Sequence, residues 1–302
     1  MTDDIVLTQT LRTRGLNTDD IARLTRIGEL ARVRRGAYAY AQDGEQTPDL
    51  HHRRLVLATA PQLLDGSVVS HGSAAVLHGL PVWRTAIEKV HATCSRSGHG
   101  KRRSVVHVHG APLPASDLTV VDGIVVTALA RTVLDLGRTR PMEQAVAAGD
   151  AALRLGLSPA ALHLGLLGME RWPGVRAARR TVDFLDGASE SVGESVSRVR
   201  MHLDGLPTPE LQQEILGPDG QVIARVDFLW RKQRVVGEFD GKVKYGRLLR
   251  PGQTVSDVVF DEKVREDRIR DEDHRVVRWI WPDLRQRWVL RDRVLRALDR
   301  RG

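Results

Sequence analysis

Residues 221–245 constrain the fold more than any other stretch of the chain. QVIARVDFLW (221–230) alternates Val226, Phe228 and Trp230 with Arg225, Asp227 and Leu229. A period of two marks a strand with one buried face. One short polar turn later, RVVGEFDGKVKY (234–245) sets Val235 and Phe239 on one face. Val236, Glu238 and Asp240 take the other, with Lys242 following if the strand continues. Two such runs joined by a short turn predict an antiparallel hairpin that brings Asp227 close to Glu238 and Asp240. Carboxylates this close repel one another unless a cation lies among them. A hard divalent ion, Mg²⁺ or Mn²⁺, suits the oxygen donors. Such an ion lowers the pKa of a bound water and neutralises a phosphate oxygen. Asp227, Glu238 and Asp240 are therefore candidate metal ligands and catalytic carboxylates. Lys242 on the same strand is a candidate for steadying developing negative charge.

The flanks extend this pattern. ASESVGESVSRVRMHL (188–203) predicts a helix capped by Ser189, with Val192, Val196, Val199 and Leu203 as its apolar stripe. Glu190 and Glu194 lie four apart on another face. Glu194 is a further catalytic candidate, to complete the ligand shell or position a second ion. After the hairpin, residues 261–284 read as a heavily charged helix, then a buried strand with Val276, Val277, Trp279 and Trp281. The expected order is helix, strand, strand, helix, strand.

The first 47 residues read differently. Asn17 or Thr18 caps a helix with Asp19 and Asp20 in its first turn, and Ile21, Leu24 and Ile27 follow helical spacing. Gly28 stops it. Leu30, Val33, Gly36, Tyr38 and Tyr40 then read as two short strands. This is the order of a winged helix-turn-helix, and Arg32, Arg34 and Arg35 fall on the wing, where DNA phosphates would be met.

Residues 48–185 predict a mixed α/β middle domain. VVSHGSAAVLHGLPVW (68–83) is a helix between Ser70 or Ser73 and Gly79; 87–93, 104–109 and 118–127 are strand-like; Thr127 caps a helix to Arg138; 141–155 and 158–169 are helical. A basic loop at 95–104 adds Lys101, Arg102 and Arg103 as candidate nucleic-acid contacts. His107 and His109 share one strand face, a spacing that can suit a metal. With no third ligand of clear spacing, they read as ordinary surface or core histidines.

Composition narrows the class. The chain has 302 residues and a formal net charge of +8, and residues 51–185 hold 16 basic against 9 acidic side chains. A basic excess, here mostly arginine, favours a polyanionic partner such as DNA. Only 13 residues are Phe, Trp or Tyr, few for the stacking platforms that bind single strands. The single Cys94 excludes an internal disulfide. No apolar run reaches a membrane span and the N-terminus lacks the order of a signal peptide, so a cytoplasmic protein with no membrane partner is expected.

Two resemblances rest on these motifs. ESVGES, then RVDFLW and VGEFDG, then EKVREDRIRDEDHRVVRWIWPDL resemble the PD-(D/E)XK nuclease superfamily, in the branch of very-short-patch-repair-like endonuclease domains. That likeness covers about 115 residues. It implies a restriction-endonuclease-like α/β domain with a central mixed sheet at 186–302, and Asp227, Glu238 and Asp240 as metal ligands with Glu194 assisting. A strict motif reading gives Asp240-Gly241-Lys242; reading Glu238-Phe239-Asp240 leaves no lysine in third place. Lys242, Lys244 and Lys263 are alternative sources of the cationic group. GLNTDDIARLTRIGELARVRRGAYAYA, VVSHGSAAVLHGL and VTALARTVLDL are similar to abortive-infection antitoxins of the AbiEi type, over residues 1 to about 180. This implies a winged helix at 1–47 that binds promoter DNA, an AbiEi-antitoxin-like domain at 48–185, and a toxin protein as partner. The expected fold class is α/β (α+β) in three domains. The expected function is metal-dependent DNA endonuclease; the alternative is an antitoxin or transcriptional repressor with an inactive nuclease-like domain.

Overall fold

The computed structural model describes residues 5–41, 47–83, 87–95, 105–241, 255–286 and 288–299, with the backbone alone at 255–259. The architecture is mixed α/β in two compact units. The first holds the chain up to Ala148 together with Leu155–Asp183. The second holds Gly149–Arg154 and the chain from Phe184 onward. None of the described helices is long and apolar enough to cross a membrane.

The first unit opens with β1 (Ile5–Leu7), α1 (Thr8–Thr13), α2 (Thr18–Arg26), β2 (Leu30–Arg34) and β3 (Ala37–Tyr40). The strands form an antiparallel sheet in the order β1-β3-β2. Asn17 caps α2: its Oδ1 accepts the N–H groups of Asp19 and Asp20 at 2.8 and 2.9 Å, and the Asp20 carboxylate accepts the Asn17 N–H. Two of the orphan donors of the first turn are thereby satisfied. Ile21 packs with Val6, Leu11 and Leu30. Ile27, expected in that stripe, is instead 56% exposed, because the helix ends at Arg26 and Gly28 turns the chain with φ +84°.

The rest of this unit contains α3 (Pro48–Thr59), β4 (Ser67–Val69), α4 (His71–Leu77), β5 (Val90–Cys94), β6 (Val106–Gly110), β7 (Leu118–Val121) and β8 (Ile124–Thr127). It continues with α5 (Leu129–Thr139), the first part of α6 (Met142–Arg154), α7 (Pro159–Leu167) and α8 (Val175–Phe184). The five strands run in the order β6-β5-β4-β8-β7; the β5–β6 and β4–β8 pairs are parallel, the other two antiparallel. Val69, Val90 and Val126 meet Val56 of α3 and Ala74 and Leu77 of α4 in one apolar cluster. Ala128, not Thr127, occupies the cap position of α5; the Thr127 hydroxyl bonds the Thr132 hydroxyl at 2.7 Å instead.

The second unit is built on a four-stranded sheet in the order β12-β11-β10-β9, from β9 (Glu210–Leu216), β10 (Val222–Trp230), β11 (Val235–Phe239) and β12 (Arg275–Trp279). Its pairs are antiparallel except β11–β12. The helices are α9 (Val192–Leu203), α10 (Val255–Asp271), α11 (Trp281–Arg285) and α12 (Val289–Asp299). Ser191, rather than Ser189, caps α9, accepting the Glu194 N–H at 3.1 Å. Leu203, expected on the apolar stripe, is 58% exposed in the last turn. Trp281 begins α11 and so lies beyond the strand it was expected to join.

One sheet face packs on α9. Trp279 is buried against Phe228 and donates its indole N–H to Ser197 Oγ at 2.7 Å. Gly193 of α9 lies against the Phe239 ring, where a Cβ would collide with ring carbons. Glycine-to-alanine in a helix ordinarily stabilises by about 1 kcal/mol. Gly193→Ala is expected to do the reverse and destabilise by about 1–3 kcal/mol, because the ring must leave a close-packed position. A urea melt reads the sign directly.

Candidate functional site

The hairpin places Asp227, Glu238 and Asp240 around one cleft of about 310 Å³. Phe228 pairs with Gly237, so Asp227 stands beside Glu238 on the same face. Asp227 Oδ2 accepts the Phe239 N–H at 2.9 Å, and the Asp240 N–H is donated to the Trp279 carbonyl at 2.8 Å. Glu238 is buried and doubly engaged: Arg265 of α10 meets Oε1 at 2.6 Å, and Arg278 of β12 meets Oε2 at 2.9 Å. Both arginines also pair with Glu262. Burial pushes the Glu262 carboxyl up, but the hydrogen bonds and charges of Arg265 and Arg278 outweigh it and hold it at about 2. Burial works against the Arg265 charge in turn, and Glu262 and Glu238 overcome it and raise its pKa.

Glu194 is buried at the start of α9, with Oε2 accepting the Glu190 N–H at 2.8 Å and Gln212 Nε2 at 2.9 Å. Glu190 itself precedes the helix and pairs with exposed Arg225. Lys263 is exposed on α10. Lys242 and Lys244, and the loop residues Lys101, Arg102 and Arg103, lie outside the described residues. The clasp of Arg265 and Arg278 on Glu238 and Glu262 is the part sequence reasoning missed. The charged spacing of 262, 265 and 266 was visible, but it also fits a solvated helix face.

In the first unit, Arg32 and Arg35 are exposed on the β2–β3 ribbon. Arg34 is half-buried and donates to its neighbour's carbonyl at Arg35 and to the Ala58 carbonyl of α3, at 2.7 and 2.5 Å. It fastens the ribbon to α3. Arg23 and Arg26 are exposed on α2, basic positions that the sequence reading did not single out.

A second constellation lies on the five-stranded sheet. In the parallel β5–β6 pair His91 faces His107, and His109 follows two residues on. Among the described residues, these three side chains bring one ligand nitrogen each within 4.8 Å of the others. His91 Nδ1 and His109 Nε2 stand 2.8 Å apart. His71, at the start of α4, stacks on His109 with ring centroids 3.7 Å apart. Its backbone is left-handed, φ 51°, a costly conformation for a non-glycine residue that recurs at functional sites. Burial, then the neighbouring histidines, lower the pKa of His71 well below its ordinary value; burial, then His109, hold His91 at about 3. Both rings are neutral at pH 7, the form whose nitrogens can take a metal. The third imidazole, which local spacing did not offer, comes from the adjacent strand, 16 residues before His107.

Residues 1–41 match the family model described as a transcriptional regulator, AbiEi antitoxin. The N-terminal region is thus AbiEi-like, within a mixed α/β chain that carries a histidine cluster suited to a metal. Two curated relatives, the uncharacterized proteins Rv2248 and MT2308 from two strains of Mycobacterium tuberculosis, are each 31% identical over 254 residues. The match covers 79% of this chain and 89% of each relative. The chain belongs to the family of these mycobacterial proteins. A crystal structure of the RV2827C protein from Mycobacterium tuberculosis aligns over 71% of this chain and 84% of its own, at 18% identity and a TM-score of 0.38.

Proposed function

We propose that the protein is a DNA-binding transcriptional regulator of the AbiEi antitoxin type, cytoplasmic and paired with a toxin protein, whose tail domain is nuclease-like in build. The AbiEi match over residues 1–41 carries this reading. On this reading 1–41 is a winged helix, with Arg32 and Arg35 on the wing set to meet phosphates and α2 set toward base edges. Arg34 then positions the wing through its bond to α3.

The experiment is a footprint and gel-shift titration on DNA upstream of the protein's own gene. The double variant Arg32→Ala, Arg35→Ala is expected to weaken binding about tenfold or more and lower the salt dependence by about two ion equivalents, while melting like wild type. Unchanged affinity in the double variant would remove the wing from the interface.

A second reading is favoured by one observation: Asp227, Glu238 and Asp240 line a single cleft. It is a DNA endonuclease with those acids on Mg²⁺ or Mn²⁺, Lys242 as the cationic group and Glu194 in support. The oxygen donors are the right class for such an ion. Their arrangement does not fit it, because guanidinium groups already hold both oxygens of Glu238. Two arginines supply the positive charge that a metal would otherwise bring. Incubating plasmid, mismatched and single-stranded DNA with Mg²⁺ or Mn²⁺ separates the readings: cleavage by wild type that Glu238→Ala abolishes favours the enzyme, and DNA binding without cleavage favours the regulator.

A further inference from the structure

We propose that His91, His107 and His109 form a binding site for a transition-metal ion of the Zn²⁺ class. The inference is independent of the DNA-binding reading, and its test uses no DNA.

The donor set selects the ion. Three imidazole nitrogens with no carboxylate among them suit Zn²⁺ and its neighbours, whereas Mg²⁺ and Ca²⁺ demand oxygen. The sheet supplies the geometry. The His91–His107 register pair and the two-residue step to His109 fix all three rings on one face. Nitrogens about 2.0–2.1 Å from a tetrahedral ion stand roughly 3.3 Å apart. The present spread, within 4.8 Å overall and 2.8 Å between His91 and His109, brackets that value. Small ring rotations therefore admit the ion. The His91–His109 contact holds a proton between its two nitrogens, and on binding that proton shifts to the other nitrogen of its own ring as both facing nitrogens turn to the metal.

The surroundings hold the ligands in place. The His91 N–H is donated to Ser73 Oγ at 2.8 Å, and the same oxygen meets His52 Nε2 of α3 at 2.8 Å. His71 lies flat on His109 and is itself held by Ser70 Oγ at 2.9 Å. Three ligands leave one tetrahedral position for water or another small donor.

Metal-stripped full-length protein titrated with Zn²⁺ is expected to take up one ion per chain. Its thermal midpoint should rise by about 4 °C or more at saturating Zn²⁺. Co²⁺ should give the intense visible absorption of a tetrahedral nitrogen-ligated ion. His107→Ala and, separately, His109→Ala are expected to weaken uptake at least tenfold and abolish that absorption. His107→Asn repeats the test with a smaller disturbance of the strand. His78→Ala, outside the cluster, should bind as wild type does. Absence of uptake by wild type, or equal affinity in all three His107 and His109 variants, would overturn the proposal.

Discussion

Asp135→Ala is expected to lower the stability of the first unit by about 3–5 kcal/mol, the cost of stranding a buried charge by removing its partner. Asp135 is fully buried in α5 and accepts Arg131 Nε at 3.0 Å and Arg138 Nη1 at 2.8 Å. Arg131 is only 2% exposed and reaches on to Asp117 and the Pro112 carbonyl. Trp172 lies under both guanidinium groups at 4.7 and 4.8 Å, and Gly174 passes so close to the Arg138 carbonyl that any Cβ would collide with it. Burial raises the Asp135 pKa even against the pull of Arg131 and Arg138, so the carboxylate is held by its partners rather than by water. Alanine would take the carboxylate from Arg138 and leave Arg131 with Asp117 alone. Asp135→Asn keeps the shape and should cost less. Urea unfolding checks both, and a loss under about 1 kcal/mol for the alanine variant would show that water enters and solvates the arginines.

Acidification is expected to destabilise the first unit by about 3 kcal/mol between pH 6.5 and 4 through His52 alone. Burial disfavours the imidazolium and, with His51 nearby, holds His52 at about 4 despite a backbone hydrogen bond that favours the charge. The unfolded chain takes up a proton below pH 6.5 that the native state refuses until about pH 4. The stabilisation from this group is therefore complete above 6.5 and lost as pH falls through that window. Asp150 in the second unit works in the opposite sense. Burial, set against Arg198, pushes it up to about 6, so its native state keeps a proton that the unfolded chain releases near 3.8. Its contribution falls as pH rises from about 4 to 6. Denaturant titrations at pH 5 and 7 should show the first unit weakening on acidification, and His52→Gln should remove about 2 kcal/mol of that dependence. A pH slope unchanged in His52→Gln would mean that His52 is charged in the native state.

The hairpin at 222–239 and the Asn17 cap were legible because one strand period and one capping residue are local signals. β9 was not read as a strand: ELQQEIL is mostly polar, as an edge strand paired on one side can be. α3 escaped for a related reason, since its buried face includes His52 and Arg54 as well as Val56. The two missed clusters share a cause. Arg278 reaches Glu238 through the parallel β11–β12 register, and His91 reaches His107 through the parallel β5–β6 register. Parallel neighbours are distant in sequence, and no local pattern announces their alignment.

The tail module cannot be lifted out of this chain as one uninterrupted segment. Asp150, near the end of α6, accepts the Asp186 N–H, the Ser195 hydroxyl and the Arg198 guanidinium at 2.7–2.9 Å, all within the second unit. A recombination event that transplanted only the stretch from 186 onward would leave that arginine and serine without their acceptor. A transplant that keeps those three bonds must carry the short helical piece Gly149–Arg154 along with the rest of the unit.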